Sequence, residues 1–257
     1  MKPECNIGQG FGQNATATYK AGGLLGHPAI DNACGYGTNI HAYQDGYVYK
    51  VLTKENPSND GSGFTGVFVL VENEIECFEM LYGHGNPLVT VGHFIKFNDV
   101  LGTEANNGEV YSNGVRITLE MQKNGNIEGS HRHDQKRPLR KDKIAQIGTQ
   151  YLSDREGKLY YNGFYYAVPY YSNGYNGCVD MTLPLFTRNL TIGMSGYDVQ
   201  CLQNLLKWKG YFTGDTTTFF GLKTRASLSS FQKAYGITPA IGFVGEKTRS
   251  ILNNIIQ

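Results

Sequence analysis

The sequence predicts a multidomain α+β protein, in which a mainly antiparallel β domain is followed by a small C-terminal three-helix bundle. Short runs of Val, Ile and aromatic residues alternate with turns rich in Gly, Asn and Asp through the first half of the chain. A helical spacing of Leu and Val begins only after about residue 187. The 257 residues are enough for one medium domain and one small one.

Composition excludes several classes of protein. The net charge of +1 gives no electrostatic case for nucleic acid as the main partner. No apolar run approaches the ~20 residues of a membrane span. The five cysteines are odd in number and form no CxxC pair, which argues against a disulfide framework. The N-terminus lacks the apolar core of a secretory signal, so we expect synthesis in the cytosol unless a signal was removed or export takes another route.

Three segments of the first half predict strands. They are GYVYKVL at 46–52, GVFVLVEN at 66–73 and GVRITLEM at 114–121. The triplets NDG at 59–61 and NNG at 106–108 predict turns, because Asn and Gly tolerate a positive φ. We therefore predict a sheet domain over residues 1–130.

Residues 131–186 are predicted to be a basic and Tyr-rich extension or linker. HRHDQKRPLRKDK, at 131–143, holds six Lys or Arg in thirteen residues. We interpret it as a solvated loop, with an anion-binding patch as the alternative. The Tyr-rich segment 158–177 contains NG turns and predicts one or two hairpins. Aromatic packing is its structural interpretation, and binding of a sugar or a protein neighbour is the functional one.

Residues 187–257 predict three helices. The first places Val199, Leu202, Leu205 and Leu206 on one face, and Gly210 ends it. FGLKTRASL at 220–228 and VGEKTRSIL at 244–252 repeat one pattern, in which Gly and Thr precede a helix. The duplicated pattern predicts that one turn-and-helix device is used twice in a compact bundle.

This tail resembles the peptidoglycan-binding domain type 1. The resemblance is carried by matching Gly, Leu-Gln, Gly-Tyr-Phe, Phe-Gly-x-x-Thr and Phe-Gln positions: Gly193, Gly196, Val199, Leu202, Gln203, Gly210, Tyr211, Phe212, Phe220, Gly221, Thr224, Phe231 and Gln232. It implies binding to bacterial cell-wall peptidoglycan through its peptide stems. Most of these residues shape the fold, and Trp208 and Tyr211 are the candidate contacts, with packing as their alternative role.

The first half resembles the lysostaphin-like family of zinc endopeptidases, which cut peptidoglycan peptides. Its motifs occur in the family order as GQGFGQN, His27 to Asp31, Gly37-Thr38, Ala42 to Asp45-Gly46, Tyr82-Gly83-His84 and VTVGHFIKFNDVLG. The resemblance covers about residues 7–130 and implies a lysostaphin-like sheet domain. It also implies that His27 and Asp31 are two of three zinc ligands.

The family's final motif, Gly-x-His-x-His-Phe-Glu, aligns with residues 114–120. In this alignment Arg116 takes the place of the first histidine, which assists the attacking water, and Thr118 takes the place of the third ligand. Neutral Thr is a poor zinc ligand, and Arg cannot act as a base near neutral pH. The alignment therefore predicts an empty half-site at His27 and Asp31, no intact catalytic site, and remnant catalytic positions at His84 and Arg116. A hypothetical ion pair would join Arg116 to Asp31 in the vacated site.

Other residues could complete the site. His131 and His133 form a His-x-His sequence, but they lie outside the strand assigned to the motif. Cys34 is a good ligand type, although a lone Cys is more often simply buried. His41 and His93 fall where the family has ordinary strand and turn residues, and we interpret them as packing or surface histidines.

The leading functional interpretation is a non-catalytic wall-binding protein built on an inactivated endopeptidase fold, with no cofactor. The alternative is an active zinc peptidoglycan endopeptidase with a rearranged metal site. A wall-binding chain without a signal also suits a bacteriophage virion or tail component that docks to other phage structural proteins; a secreted bacterial protein is the competing origin. We accordingly expect the cell wall, the extracellular space or a virion as its location.

Overall fold

A computed structural model describes residues 5–13, 19, 24–108, 110–113, 115–142, 158–161, 164–167, 175 and 178–256. The chain divides into two compact units. The first is Met1–Glu72 with Cys77–Met181, and the second is Thr182–Gln257 with the short turn Asn73–Glu76. None of the described helices is both long and apolar enough to cross a membrane.

The first unit is built mainly of antiparallel strands, as the sequence predicts. In chain order they are β1 (Asn6–Gln9), β2 (Ile30–Ala33), β3 (Asn39–His41), β4 (Gly46–Leu52), β5 (Gly66–Glu72), β6 (Cys77–Gly83), β7 (Asn86–Pro87), β8 (Phe94–Ile95), β9 (Val100–Thr103), β10 (Val110–Ser112), β11 (Val115–Ile117), β12 (Arg132–Pro138), β13 (Arg140–Asp142), β14 (Lys158–Tyr161) and β15 (Phe164–Ala167). Seven form one sheet in the order β1-β2-β12-β6-β5-β4-β8, and β3-β9-β7, β13-β15-β14 and β10-β11 form smaller sheets.

The alternation of side chains along β5 and β6 gives the main sheet two apolar faces. One face packs Val67, Val69, Phe78 and Met80 with Leu101 of β9. The other face packs apolar side chains around Tyr49, Phe68, Leu70, Leu81 and Leu139. Both of these strands are therefore buried on two sides, which explains why GVFVLVEN reads as a continuous apolar run. The predictions for 46–52 and 66–73 are confirmed.

Only the first half of the third predicted strand, GVRITLEM, forms a strand in the structure. Val115–Ile117 forms β11, which pairs with β10 in a hairpin separate from the main sheet. Thr118 then caps the helix α1 (Leu119–Lys123), accepting a hydrogen bond on its side-chain oxygen from Met121 N at 3.2 Å. A Thr at the cap and Glu120 in the first turn favour a helix start, and these signals override the alternating pattern. The prediction of one strand through Glu120 is wrong.

The boundary predicted at residue 130 is also corrected. Residues Arg132–Pro138, predicted to be loop, form β12, which lies between β2 and β6 in the main sheet. Its charges are buried in pairs: Arg132 bonds Asp134 at 2.6 Å, and Arg137 bonds Glu79 at 2.7 Å. Burial of charge is tolerable only with such partners, and these are invisible in a count of basic residues.

The Tyr-rich segment contains a hairpin, as predicted. Strands β14 and β15 pair with Tyr161 opposite Phe164, and β13 adds to β15. Most of the rest of 143–177 lies outside the described residues. A disulfide joins Cys5 to Cys34, a single bridge that the argument against a disulfide framework did not anticipate, and the other three cysteines are thiols.

The second unit contains three helices, which confirms the predicted bundle. They are α2 (Tyr197–Trp208), α3 (Leu222–Ala234) and α4 (Glu246–Ile255). Their apolar faces meet in a core that includes Val199, Leu202, Leu205, Leu228 and Leu252, each completely or almost completely buried. Gly210 ends the first helix with a φ of +81°, a conformation that glycine adopts without a Cβ penalty.

The sequence repeat is also a repeat of contacts. Gln203 donates its amide to Phe219 O and Thr224 Oγ1 and accepts from Thr217 N. Gln232 makes the matching set with Phe243 O, Thr248 Oγ1 and Gly242 N. Each buried glutamine thus forms hydrogen bonds both to the loop before the next helix and to the Thr of the repeated Lys-Thr-Arg segment. The two turn-and-helix units are therefore stabilised by the same set of contacts.

Candidate metal centre

Two neighbouring strands bring the candidate ligands together. In the pairing of β2 with β12, His133 lies directly opposite Asp31. His27 lies four residues before Asp31, in the loop that leads into β2. Its backbone is held by Gly12 N, which donates to His27 O, and by Gln13 O, which accepts from His27 N. Gly26 permits this close approach, because a Cβ there would lie 2.5 Å from Gly12 O. The GQGFGQN segment therefore positions His27.

Three potential ligand atoms form a nearly equilateral triangle. His27 Nε2 lies 3.3 Å from Asp31 Oδ1 and 3.2 Å from His133 Nδ1, and His133 Nδ1 lies 3.2 Å from Asp31 Oδ1. Tetrahedral zinc with bonds of ~2.0–2.1 Å separates its ligand atoms by about 3.3 Å. Two imidazoles and one carboxylate with an open fourth position are a typical catalytic zinc set. These residues therefore fit a zinc ion in both donor chemistry and spacing.

The electrostatic environment keeps Asp31 ionised. Burial by itself would raise the pKa of this carboxyl group. Hydrogen bonds from His133 and His27, together with the charges of His133 and His131, outweigh burial and hold the pKa well below its ordinary value. An ionised carboxylate is the form that binds a metal cation.

Two further histidines border the triangle. His131 Nε2 lies 3.7 Å from Asp31 Oδ2, and the His131 ring lies 4.6 Å from the ring of His84. Nδ1 of His131 faces the Gly129 carbonyl at 2.8 Å, and Nδ1 of His84 faces the Asn107 carbonyl at 2.6 Å. A carbonyl can only accept, so both Nδ1 atoms carry the proton and both Nε2 atoms are unprotonated in the neutral rings.

His84 is buried and held in an unusual conformation. Its φ of +60° is uncommon for a residue with a side chain. Burial, followed by the nearby charges of His131 and His133, holds its pKa well below the ordinary value, so the ring is neutral at neutral pH. Asn107 brackets it: the backbone N–H of Asn107 donates to His84 O, and the Asn107 carbonyl accepts from the ring.

The opposite face of β12 anchors the strand from behind. Asp134 is completely buried and accepts hydrogen bonds from Arg132, from Asn32 at 2.7 Å and from the Tyr43 hydroxyl at 2.6 Å. Because side chains alternate along a strand, these contacts fix the backbone that points His131 and His133 toward Asp31.

The structure contradicts the predicted position of the third ligand. Thr118 caps α1, and Arg116 pairs with Tyr111 across the β10–β11 hairpin. Asp31 meets His27, His131 and His133, so its site is not a half-site and is not vacated for Arg116. Cys34 is bonded to Cys5 and cannot be a thiolate ligand. His41 Nδ1 contacts Asn98 O, and His93 lies in the turn before β8; neither belongs to the described metal-ligand group.

The two histidines that sequence reasoning set aside, the ligand His133 and its neighbour His131, had a signal in the sequence. His131-Arg132-His133 has the spacing that puts both rings on one face of a strand. The dense positive charge of this segment indicated a loop, and the strand of the final family motif was already assigned to GVRITLEM at 114–121. The burial of Arg132 against Asp134, two residues away on the same face, is what makes a strand possible here.

Comparisons with known proteins agree with this architecture. Residues 25–128 match the family model described as "Peptidase family M23", and residues 195–252 match the one described as "Putative peptidoglycan binding domain". The chain carries an M23 peptidase-like domain followed by a peptidoglycan-binding domain. The first match ends before His131, so the family alignment covers His27 and Asp31 but not His133.

Individual relatives cover parts of the chain. The spore cortex-lytic enzyme of Bacillus cereus is 42% identical over 60 residues, which is 23% of this chain and 23% of that protein. The chain thus spans less than a quarter of the length of this curated relative. The solved N-terminal domain of SleB is 35% identical over 28% of this chain and 97% of its own, with a TM-score of 0.26.

Solved structures similar to the first unit include two M23 domains. The catalytic domain of lysostaphin from Staphylococcus simulans is 19% identical, covers 52% of this chain and 80% of its own, and has a TM-score of 0.37. The catalytic domain of the prophage-encoded M23 protein EnpA from Enterococcus faecalis is 20% identical, covers 54% and 84%, and also has a TM-score of 0.37.

The candidate wall contacts of the peptidoglycan-binding domain lie at the end of α2. Trp208 is half exposed, and the Lys209 ammonium lies 3.7 Å from the centre of its ring. Tyr211 packs edge-on against Phe231, with ring centres 5.6 Å apart. Trp208 therefore presents a surface to solvent, whereas Tyr211 contributes to packing, and their role in binding stays a prediction.

Proposed function

We propose that this chain is a zinc-dependent endopeptidase that cleaves peptide bonds of bacterial peptidoglycan and binds the wall through its helical domain. The observation that carries the proposal is the triangle of His27 Nε2, Asp31 Oδ1 and His133 Nδ1, with edges of 3.2–3.3 Å, bordered by His84 and His131. The proposal takes its reaction class from the site chemistry and its substrate from the two matched domains.

The chain's own residues supply the groups that hydrolysis needs. A zinc ion held by His27, Asp31 and His133 supplies Lewis acidity for the scissile carbonyl and for the attacking water. His131 and His84 each have an unprotonated Nε2 and can accept a proton from that water or, once protonated, give one to the leaving amine. The Asn107 and Gly129 carbonyls fix both rings in the tautomers that these roles require.

The sequence argument for a non-catalytic function depended on one alignment of the final family motif. That argument required Arg116 and Thr118 to occupy the ligand positions, whereas both lie on the β10–β11 hairpin and its adjoining helix cap. The notion of a bacteriophage virion or tail component is independent of catalysis and stays a prediction. Mass spectrometry of purified particles would test it, and absence of the protein from them would contradict it.

Paired substitutions test the proposed site. We expect purified protein to hold about one zinc per chain and to clear suspensions of cell walls. His133→Ala should abolish both zinc binding and clearing, because two ligands cannot hold a catalytic zinc. Zinc content by atomic emission and wall clearing by turbidity measure the two effects.

Thr118→Ala is the matched control, since Thr118 is the ligand position in the competing alignment. We expect it to retain zinc and clearing and to lose only about 1 kcal/mol of stability through the helix cap. Full zinc and activity in His133→Ala, or their loss in a folded Thr118→Ala, would contradict the proposal.

A further inference from the structure

The second unit contains a groove of about 560 Å³ between the end of α3 and the first turns of α4. Ile237 and Ile251 form its apolar lining, and Thr238 and Ser250 add hydroxyl groups. Glu246 and Lys247 are exposed at its edge, and neither forms an ion pair with another residue of the described part of this unit. One negative and one positive charge thus border a small apolar surface.

The internal repeat reveals that the corresponding place in the first turn-and-helix unit is filled. Tyr211 N donates to Leu206 O and Ile237 N donates to Gln232 O, five residues back in each case. Counted from the positive-φ glycine that ends each helix, Gly210 and Gly236, Phe212 corresponds to Thr238. This match applies to the turns only, because Gln203 lies seven residues before its glycine and Gln232 lies four residues before its own. Phe212 is buried, and the Lys223 ammonium lies 5.2 Å from the centre of its ring. Where the first turn-and-helix unit has a large aromatic ring, the second turn-and-helix unit has a small, exposed Thr.

The two turn-and-helix units also differ in the charged residues of their repeated segments. Lys223 and Lys247 correspond in the repeated segment, but Glu246 corresponds to Leu222. In the first turn-and-helix unit Lys223 lies over the ring of Phe212, and the position of Glu246 is taken by an uncharged Leu222. The second turn-and-helix unit thus combines open space with both signs of charge, and both features suit a small zwitterionic ligand.

We propose that this groove binds the peptide stem of peptidoglycan, with Glu246 receiving a stem amine and Lys247 a stem carboxylate. The assignment rests on the proposed function of the helical domain as a wall-binding module. Peptide stems carry carboxylates and, where the third residue is a diamino acid, a free amine. The Ile237 and Ile251 surface would contact the apolar parts of short stem residues such as alanine.

Co-sedimentation with purified insoluble peptidoglycan tests the groove. The full chain is used with a chelator present, so that hydrolysis does not contribute. Thr238→Phe places in the groove the aromatic residue that fills the first unit, and we expect it to weaken wall binding about tenfold. The double variant Glu246→Gln with Lys247→Met should have a similar effect without adding bulk, which covers the case in which Thr238→Phe does not fold.

Lys223→Met is the matched control, because it removes the corresponding charge from the first turn-and-helix unit, where Phe212 fills the place of the groove. It should bind as the wild type does. A soluble stem tripeptide with a free side-chain amine should compete with the wall for the wild-type chain, and the same peptide acetylated on that amine should not. Circular dichroism of each variant confirms that the helices remain.

The outcomes separate the inference from the proposal beneath it. If the wild-type chain does not sediment with peptidoglycan, the wall-binding function fails and the groove assignment fails with it. If the wild type sediments and folded groove variants sediment equally well, only the groove assignment is overturned. Equal weakening by Lys223→Met would also overturn it, because the effect would then reflect general charge.

Discussion

His84 adopts a backbone conformation that costs a non-glycine residue about 1–3 kcal/mol. The surrounding contacts offset this cost. The side-chain NH₂ of Asn107 shares its two hydrogens among three acceptors at 2.9–3.0 Å, Thr65 Oγ1, Gly85 O and Asn86 Oδ1, and His84 N donates to Thr65 O. Asn107 therefore holds both the ring and the backbone of His84, and we assign it as a positioning residue.

We predict that Asn107→Ala lowers the rate of peptide hydrolysis about 10- to 100-fold while zinc content stays unchanged. The variant keeps the backbone carbonyl that accepts from the His84 ring but removes the side-chain hydrogen bonds that hold this backbone in place. The ring is then less firmly oriented and presents its unprotonated Nε2 to the reacting groups less often. Steady-state kinetics on a soluble peptide, together with metal analysis, measures both quantities.

A double-mutant cycle with His84→Ala supplies the control. If Asn107 acts through His84, its substitution should cause no further loss once the imidazole is absent. Equal losses in both backgrounds, or loss of zinc in the folded Asn107→Ala variant, would contradict the positioning role.

Sequence reasoning reached some of these residues and missed others for a physical reason. His27, Asp31 and His84 stand in short motifs whose neighbours are glycines and turn residues, so the motifs are recognisable locally. The sequence offers His133 only as an alternative ligand, and it is the register opposite Asp31, 102 residues earlier in the chain, that places it at the site. Asn107 acts mainly through its backbone, which the identity of a side chain does not reveal.

Strand β1 lies at the edge of the main sheet, and its attachment explains the Cys5–Cys34 bridge. It pairs only with β2 in this sheet, in a register that is interrupted between Ile7 and Gln9. The bridge joins the residue before β1 to the residue after β2 and closes a separation of 29 residues. A covalent link thus secures a short edge strand beside the strand that carries Asp31.

We predict that reducing this disulfide lowers the thermal midpoint of the first unit, because a bridge over this separation stabilises by about 3–4 kcal/mol in the chain-entropy account. Differential scanning calorimetry with and without a reducing agent measures the shift. The Cys5→Ser, Cys34→Ser double variant should start at the lower midpoint and should not respond to the reductant. A response of the same size in that variant would contradict the assignment.

The type of a secondary-structure element was predictable where the apolar pattern of its own residues agrees with the burial of that element in the fold. The apolar runs of β4 and β5 and the Leu spacing of α2 match their burial in the structure. The strand prediction for GVRITLEM failed because its second half carries a helix cap. The loop prediction for β12 failed because its charges find buried partners, Asp134 within the same strand for Arg132 and Glu79 of β6 for Arg137. Both errors came from interactions that a pattern of apolar and polar residues does not encode.

At the scale of the whole molecule, the candidate metal lies in one compact unit and the candidate wall groove in the other. A ligand that binds only the folded state stabilises the unit that binds it. The zinc site should therefore affect the stability of the sheet unit, while the helical unit draws its stability from its own core.

We predict that a chelator lowers the unfolding midpoint of the sheet unit by several degrees and leaves that of the helical unit unchanged. Calorimetry of the full chain measures both transitions, with circular dichroism at the helical minimum to identify the second. His133→Ala serves as the control, because a chain without the site has no metal to lose. A chelator-induced shift in that variant, or one shared equally by both transitions, would contradict the prediction.

The central position of β12 has a consequence for a growing or truncated chain. Strands β2 and β6 do not pair with each other in the sheet; β12 alone joins them. A nascent chain that ends before residue 131 lacks His131 and His133 and leaves the facing edges of β2 and β6 unpaired, and unpaired edges are prone to association. The candidate ligand triangle is therefore completed only when the growing chain has extended through β12, the last strand of this sheet in chain order.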